Sequence, residues 1–153
     1  MLIKTPNNQE IEIKNIVLDL NGTLANYSQV SSKTKQLLKQ LKQLNYRLIL
    51  ISGDIRGNAK DIAKELDLEL FLGGNSQEKA KKMQQLKKNE TAAIGNARID
   101  IGTFQNAIIS IATLQSEGIH TEILNYVDII IPSIEDALTL FTEPKALEAT
   151  LRI

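Results

Sequence analysis

The chain has 153 residues, with 18 basic and 18 acidic side chains and a formal net charge of zero. At that size one compact domain buries roughly 70% of its unfolded surface, so residues 1–153 are read as a single domain. Hydrophobic residues at 42%, charged at 24% and aromatic at 4% argue against a disordered chain, a basic nucleic-acid binder and a base-stacking surface. With no cysteine and the single histidine His120, disulfides, thiolate zinc sites, cysteine nucleophiles and multi-histidine metal sites are excluded. Chemistry is left to carboxylates, hydroxyls, lysines and amides. The opening MLIKTPNNQE soon turns polar, and no apolar run approaches the roughly 20 residues of a membrane span, so a soluble cytoplasmic protein is expected.

In chain order, LIKTP and EIEI flank Asn7-Asn8, which reads as a small hairpin covering a sheet edge. Short apolar runs follow at Ile16 to Leu20, Leu48 to Ile51, Leu68 to Leu72, Thr91 to Ile94, Ile108 to Ile111 and Asp128 to Ile131, each a buried parallel strand by composition and length. Between them, Leu37, Leu38, Leu41 and Leu44 share one helical face, as do Ala59, Ile62, Ala63 and Leu66, and then Ala80, Met83 and Leu86. Pro132-Ser133 precedes an amphipathic helix carrying Ile134, Ala137, Leu138 and Phe141; Pro144 stops it and opens a terminal helix through Leu151. No repeat, low-complexity tract or linker interrupts the alternation. Strand after helix predicts an α/β fold, a Rossmann-like doubly wound parallel sheet, with ligands bound beyond the carboxyl ends of its strands where the strand order reverses.

The strand ends therefore hold the candidate residues. The first run ends in IVLDLNGTL, placing Asp19 where a carboxylate could attack an electrophile; the plainer reading is a turn cap beside a common Asn-Gly pair. The second ends in LILISGD, where the Ser52 hydroxyl, the Gly53 backbone and the following helix N-terminus suit a phosphate, although Ser52 could simply enter that helix. Lys79, Lys81 and Lys82 open the helix of GGNSQEKAKKMQQL, a position where most lysines are solvated. After TAAIG, Asn96 and Asp100 could present an amide oxygen and a carboxylate to Mg²⁺ opposite Asp19, or Asp100 could cap the next helix. His120, far along the chain from these residues, reads as a structural or solvent-facing side chain in a surface helix. What tips the balance is order: nucleophile, hydroxyl, lysine and acid stand at successive strand ends of one chain.

This ordered set resembles the haloacid dehalogenase superfamily of phosphoryl-transfer enzymes, with its Asp-x-Asp-x-Thr motif, Ser or Thr after the second strand, Lys, and Gly-Asp loop with a later Asp. It is most similar to the soluble relatives of the P-type ATPase phosphorylation domain, through VLDLNGTLA, SGD in place of TGD, AIGNARID in place of the GDGxND loop, and the closing PKALEATLR. The resemblance spans about Ile16 to Arg152. It implies a Rossmann-like core, an Mg²⁺ cofactor, and hydrolysis of a phosphorylated small molecule through a phosphoaspartyl intermediate. Asp19 would be the nucleophile and Thr23 the motif hydroxyl. The Asn21 carbonyl would contribute to the metal site, Ser52 would hydrogen-bond a phosphoryl oxygen, Lys79 would offset charge, and Asn96 and Asp100 would hold or orient Mg²⁺ with Asp19. Neither a nucleic-acid nor a membrane partner is implied.

Four positions depart from the superfamily pattern. Asn21 replaces the aspartate that protonates the leaving group and activates water, a loss typically worth about 10² to 10⁴ in rate, which favours substrates with good leaving groups. Asn96 replaces a metal-loop aspartate, and Ala97 and Ile99 replace a glycine and an asparagine. Asn21, Ala97 and Ile99 support a second reading, a catalytically weakened phosphate-binding or regulatory module on the same fold. Residues 24–47 and 53–78 leave no room for a cap domain, so a core without a cap is expected. A near-neutral surface adds the expectation of a homo-oligomer. A receiver domain is disfavoured by Leu20-Asn21 and Gly73-Gly74 at its acidic-pair and phosphoacceptor positions, and no Gly-Lys-Ser/Thr loop marks a nucleotide site.

Overall fold

The computed structural model describes residues 1–4, 10–115 and 117–151. Six strands form one all-parallel sheet: β3 (Asn15–Asp19), β4 (Arg47–Ser52), β5 (Glu69–Leu72), β6 (Thr91–Gly95), β7 (Ile109–Thr113) and β8 (Ile129–Ile131). They follow the predicted apolar runs to within a residue or two. Their spatial order is β5-β4-β3-β6-β7-β8. The chain thus winds outward from β3 through β4 to β5, then crosses back to β6 on the other side of β3. The order reverses between β3 and β6, and this is where the ligand crevice of such a sheet opens.

Helices cover both faces. On one lie α1 (Ser32–Gln43), α2 (Ala59–Glu65), α5 (Ile134–Leu140) and α6 (Pro144–Leu151), whose Leu38, Leu41, Ile62, Leu138 and Leu147 pack on strand residues such as Ile16, Leu18, Leu48 and Leu50. On the other lie α3 (Ser76–Met83) and α4 (Ile101–Phe104), with Met83 and Phe104 packed on Val17, Ile49, Ile51 and Phe71. The period-2 alternation along β3 assigns Ile16 and Leu18 to the first face and Val17 to the second. Asp19 continues the Val17 series, so its carboxylate points to the α3 side.

Local signals set the helix ends. Ser31 caps α1 by accepting the Thr34 N–H at 3.0 Å, and the helix stops at Asn45, a non-glycine residue at φ +65 that serves as a left-handed terminator. Asn75 caps α3 by accepting the Glu78 N–H at 2.9 Å, while Glu78 in turn accepts the Gly74 N–H at 2.7 Å. That double cap fixes the start of α3 and so the direction of Lys79, one turn further on.

The N-terminal hairpin forms, β1 (Leu2–Lys4) pairing antiparallel with β2 (Glu10–Glu12), but not where it was expected. The Asn7-Asn8 turn lies outside the described residues. The strands sit beneath the amino ends of β3 and β6 rather than along a sheet edge: Ile3 is buried in the core, the Lys14 N–H donates to the Glu90 carbonyl at 2.9 Å, and the Lys4 N–H donates to Glu148. The reason is chain length. Only Ile13 and Lys14 separate β2 from β3, and β3 is central, so the hairpin cannot reach an edge strand.

α3 and α4 approach backbone to backbone at Gly102, where an added Cβ would lie 2.0 Å from the Ser76 carbonyl oxygen. The Gly102 N–H donates to Ser76 Oγ at 2.8 Å. Gly102→Ala should therefore destabilise by about 1–3 kcal/mol through overpacking, read as a lower urea midpoint with an unchanged slope. An unaltered midpoint would show that the two helices can separate at no cost.

Candidate active site

At the reversal point three buried ionisable side chains meet beneath the cleft. Lys79 Nζ lies 2.7 Å from Asp19 Oδ1 and 2.7 Å from Asp100 Oδ1, and all three residues are buried. Each comes from a different element: Asp19 from the end of β3, Lys79 from the first turns of α3, and Asp100 from the single-turn 3₁₀ segment Arg98–Asp100 that leads into α4. Asp100 Oδ2 turns back to accept the N–H groups of Asn96 at 3.0 Å and Ala97 at 2.9 Å. This return is possible because position 95 is glycine: a Cβ there would stand 2.6 Å from Asp100 Oδ2. Burial, and then the charge of Asp100, push the Asp19 carboxyl up to about 7, against the opposing pull of Lys79. Burial works against the Lys79 ammonium, but the two carboxylates outweigh it and hold its pKa above the usual lysine range.

The surrounding loops are tied to this centre. Thr23 Oγ1 donates to Asn96 Oδ1 at 3.2 Å, and Asn96 Nδ2 donates to the Gly118 carbonyl at 2.7 Å. Ser52 Oγ accepts the Asp54 N–H at 3.0 Å, which occupies an acceptor site of that oxygen and leaves its proton available to a ligand. Asp54, itself at φ +52, is locked by its carboxylate accepting the Ala59 N–H at 2.8 Å. A cleft of about 360 Å³ opens above, lined by Asp19, Asn21, Ser52, Lys79 and Asn96 with Arg56 and Glu117 at its rim. Glu117 joins two loops across the cleft: Oε2 accepts from Arg56 Nη2 at 2.9 Å and Oε1 accepts the Tyr27 N–H at 3.1 Å.

The structure thus brings Asp19, Asn21, Ser52, Lys79 and Asn96 onto one cleft, with Thr23 and Asp100 directly behind it. It also selects among the lysines, since Lys81 is exposed and Lys82 half-buried. His120 is exposed as expected, but it precedes the 3₁₀ segment Thr121–Asn125 rather than sitting within a surface helix. Its backbone N–H reaches the Asn96 carbonyl at 3.0 Å, so a residue distant in sequence supports the site loop. Gln115, Glu117 and Arg56 were not read from the sequence. Gln115 Nε2 donates to the Thr23 carbonyl at 2.5 Å and to Asn26 Oδ1 at 3.1 Å, and Oε1 accepts the Ile134 N–H at 2.7 Å. The available signal was position: Gln115 and Glu117 follow β7 as Asn96 follows β6.

The haloacid dehalogenase-like hydrolase family model matches residues 25–107, more than half of the chain. The chain belongs to this family. The matched stretch of this haloacid dehalogenase-like hydrolase contains Ser52, Lys79, Asn96 and Asp100 and begins just past Asp19. The copper-exporting P-type ATPase of Staphylococcus haemolyticus is 31% identical over 96 residues, 61% of this chain but 12% of the ATPase; the aligned part is thus a small fraction of that relative's length. Among solved structures, the cobalt-bound deoxy-D-mannose-octulosonate 8-phosphate phosphatase of Haemophilus influenzae superposes with a TM-score of 0.73 at 16% identity, covering 93% of this chain and 94% of that one. The 3-deoxy-D-manno-octulosonate 8-phosphate phosphatase of Moraxella catarrhalis, with magnesium, phosphate and KDO, gives 0.70 at 19% identity over 92% and 94%. Phosphoserine phosphatase gives 0.66 at 15% identity over 86% and 99%. At these identities the likeness establishes the shared fold. No helix among the described residues is long and apolar enough to cross a membrane.

Every polar group facing the cleft floor other than Lys79 offers oxygen or amide. Asn21 Oδ1 is buried without a hydrogen-bond partner, and Asn21 lines the same cleft as Asp19 and Asn96. An all-oxygen donor set fits a hard cation that retains several waters, as Mg²⁺ does. Among the described residues no cluster of three or more His, Cys, Asp or Glu side chains could hold a metal by itself.

The triad makes a pH-dependent prediction. Lys79→Met leaves two buried carboxylates without their cation and should destabilise the metal-free protein by up to about 3–5 kcal/mol at alkaline pH. Asp19 already holds its proton more tightly folded than unfolded, about 7 against 3.8, and loss of the ammonium raises it further. The folded state then binds a proton that the unfolded state does not, so the penalty is full above the folded pKa and relieved as pH falls below it. Urea unfolding in EDTA at pH 9.5 and pH 5 should show the deficit shrinking at the lower pH; a deficit of equal size at both would contradict a carboxylate origin.

Proposed function

We propose that this haloacid dehalogenase-like hydrolase is an Mg²⁺-dependent phosphohydrolase that acts through a phosphoaspartyl intermediate on a small phosphorylated substrate with a good leaving group. The observation that carries this reading is Asp19 at the strand-order reversal, oriented by Lys79 and open to the cleft. In the first step an Asp19 carboxylate oxygen forms a bond to phosphorus, and the bond from phosphorus to the leaving oxygen breaks. The leaving group departs as its anion and takes a proton from water. In the second, water attacks phosphorus, the acyl phosphate bond breaks, and Asp19 returns as carboxylate with inorganic phosphate and a proton released. The chemistry asks little of the protein beyond positioning and charge stabilisation.

In this reading Ser52 donates its free proton to a phosphoryl oxygen, and Lys79 offsets charge on the nucleophile and the transferred group. Asp19, Asn21 and Asn96 supply the oxygen donors for Mg²⁺, which would neutralise phosphoryl charge when bound. Asp100 acts by position: with one oxygen on Lys79 and the other on two backbone N–H groups, it fixes the ammonium and the shape of the Asn96 loop. Thr23 and the Gly118 carbonyl hold the two ends of the Asn96 amide and fix that side chain in place at the cleft. The phosphatase neighbours of the same fold, one of them with magnesium and phosphate, support the reaction class.

The second reading, a phosphate-binding module with decayed turnover, is favoured by one observation. Position 21, where a general acid and base would stand, presents an amide whose buried oxygen has no partner. Two substitutions separate the readings. Asp19→Asn should abolish both turnover of an activated aryl phosphate and any hydroxylamine-labile phosphoenzyme; undiminished turnover in the purified variant would sink the mechanism. Asn21→Asp restores a group able to protonate an alcohol and deprotonate water, and should raise alkyl phosphate turnover by about 10², the low end for general acid-base catalysis, more than it raises aryl phosphate turnover. A folded Asn21→Asp protein with no gain on either substrate, measured beside the wild type, would favour the binding module.

A further inference from the structure

Two cations line the cleft, and only one is committed to its floor. Lys79 is buried between two carboxylates. Arg56, on the loop between β4 and α2, meets a single carboxylate oxygen, Glu117 Oε2, through Nη2 alone, with its side chain 35% exposed. Its remaining N–H donors have no partner among the described residues. A guanidinium is a planar fork that takes carboxylate or phosphate oxygens two at a time, so a one-point contact leaves most of its capacity unused. The other acid on this loop, Asp54, does not compete, since its carboxylate caps α2 at Ala59.

We infer that Arg56 is a specificity residue that binds a second anionic group on the substrate, making the preferred substrate class phosphorylated acids rather than simple phosphate esters. The inference rests on the phosphoryl site proposed above, with the phosphate at Asp19, Ser52 and Lys79 on the floor and the second anion at the rim. Glu117 is the internal counter-ion that the substrate displaces. It stays anchored meanwhile, because its other oxygen accepts the Tyr27 N–H from the opposite loop. A substrate carboxylate takes the place of Glu117 at Arg56, and its bidentate contact gains a hydrogen bond over the single one it replaces, while the displaced Glu117 charge opposes the exchange. With no cap over the site among the described residues, this rim cation supplies the selection that the floor residues, all directed at phosphorus, do not.

Binding of unreactive phosphonates tests this independently of turnover. Methylphosphonate fills the phosphate position alone, whereas phosphonoacetate, phosphonopropionate and phosphonobutyrate add a carboxylate at increasing reach. In calorimetric titrations with millimolar Mg²⁺, at least one of the three should bind the wild type roughly tenfold more tightly than methylphosphonate, the scale of one charge-assisted hydrogen bond pair. Arg56→Gln should bring that ratio close to one, and Glu117→Gln, which keeps an acceptor for Tyr27 but removes the competing charge, should increase it. A ratio that survives in Arg56→Gln, with all ligands weakened together, would overturn the inference and make Arg56 a strut of the loop. So would a wild type that binds methylphosphonate and the phosphonocarboxylates alike, while leaving the phosphoryl site intact. Failure of methylphosphonate itself to bind would strike at the phosphoryl site and remove the inference with it.

Discussion

An ammonium shared by two buried carboxylates is the interaction on which the rest of this molecule depends. Isolated burial of any of the three charges would cost several kcal/mol. Together they form a unit that is tolerable only when β3, α3 and the start of α4 are all in place. The requirement runs both ways. The fold must bring the helices close enough for contact, which it does at Gly102, and the triad in turn holds the Asn96 loop, because Asp100 spends its second oxygen on that loop's backbone. Organisation of the site and packing of the second sheet face are therefore one problem with one solution.

Around that centre the cleft is assembled by hydrogen bonds between loops rather than by a separate covering unit. Gln115 ties the loop after β3 to the start of α5, Thr23 and Asn96 link the ends of the two central strands, and Glu117 bridges the rim. These contacts join segments far apart in the chain; Thr23 and Asn96 are 73 residues apart, and Gln115 and Thr23 are 92 apart. A loop held at both ends by its neighbours loses less order when a ligand arrives, which is the physical value of preorganisation at an open site.

The substitutions that set this chain apart from the superfamily pattern have a common electrostatic sense. Asparagine at positions 21 and 96 removes two formal negative charges from the immediate surroundings of Asp19. Fewer charges compete for Lys79 and oppose an incoming phosphate, but fewer remain to hold a divalent cation or to move a proton. In the proposed reaction this balance would favour binding and attack on phosphorus over rapid release of the phosphorylated aspartate.

Much of this was legible in the sequence. The apolar runs with intervening helical periodicity specified the parallel sheet, because a strand buried on both faces has no polar alternation to show. The strand-end rule then located Asp19, Ser52 and Asn96, since the chain direction of a parallel sheet places all carboxyl ends on one side. Lys79 was harder: it reads as one of three solvated lysines, and only the approach of α3 to β3, set by the cap at Asn75 and the contact at Gly102, turns it inward while Lys81 stays outside. The hairpin was recognisable from its pattern, but its place beneath β3 followed from the strand order and the two-residue link. Glu117 is marked only by its position after β7, and its pairing with Arg56, 61 residues away, has no local signature. Local sequence determined the elements and the chemistry at their ends, because propensity, periodicity and caps act over a few residues. Which loops face one another across the cleft was decided by the tertiary structure alone, because that depends on the order in which the strands assemble.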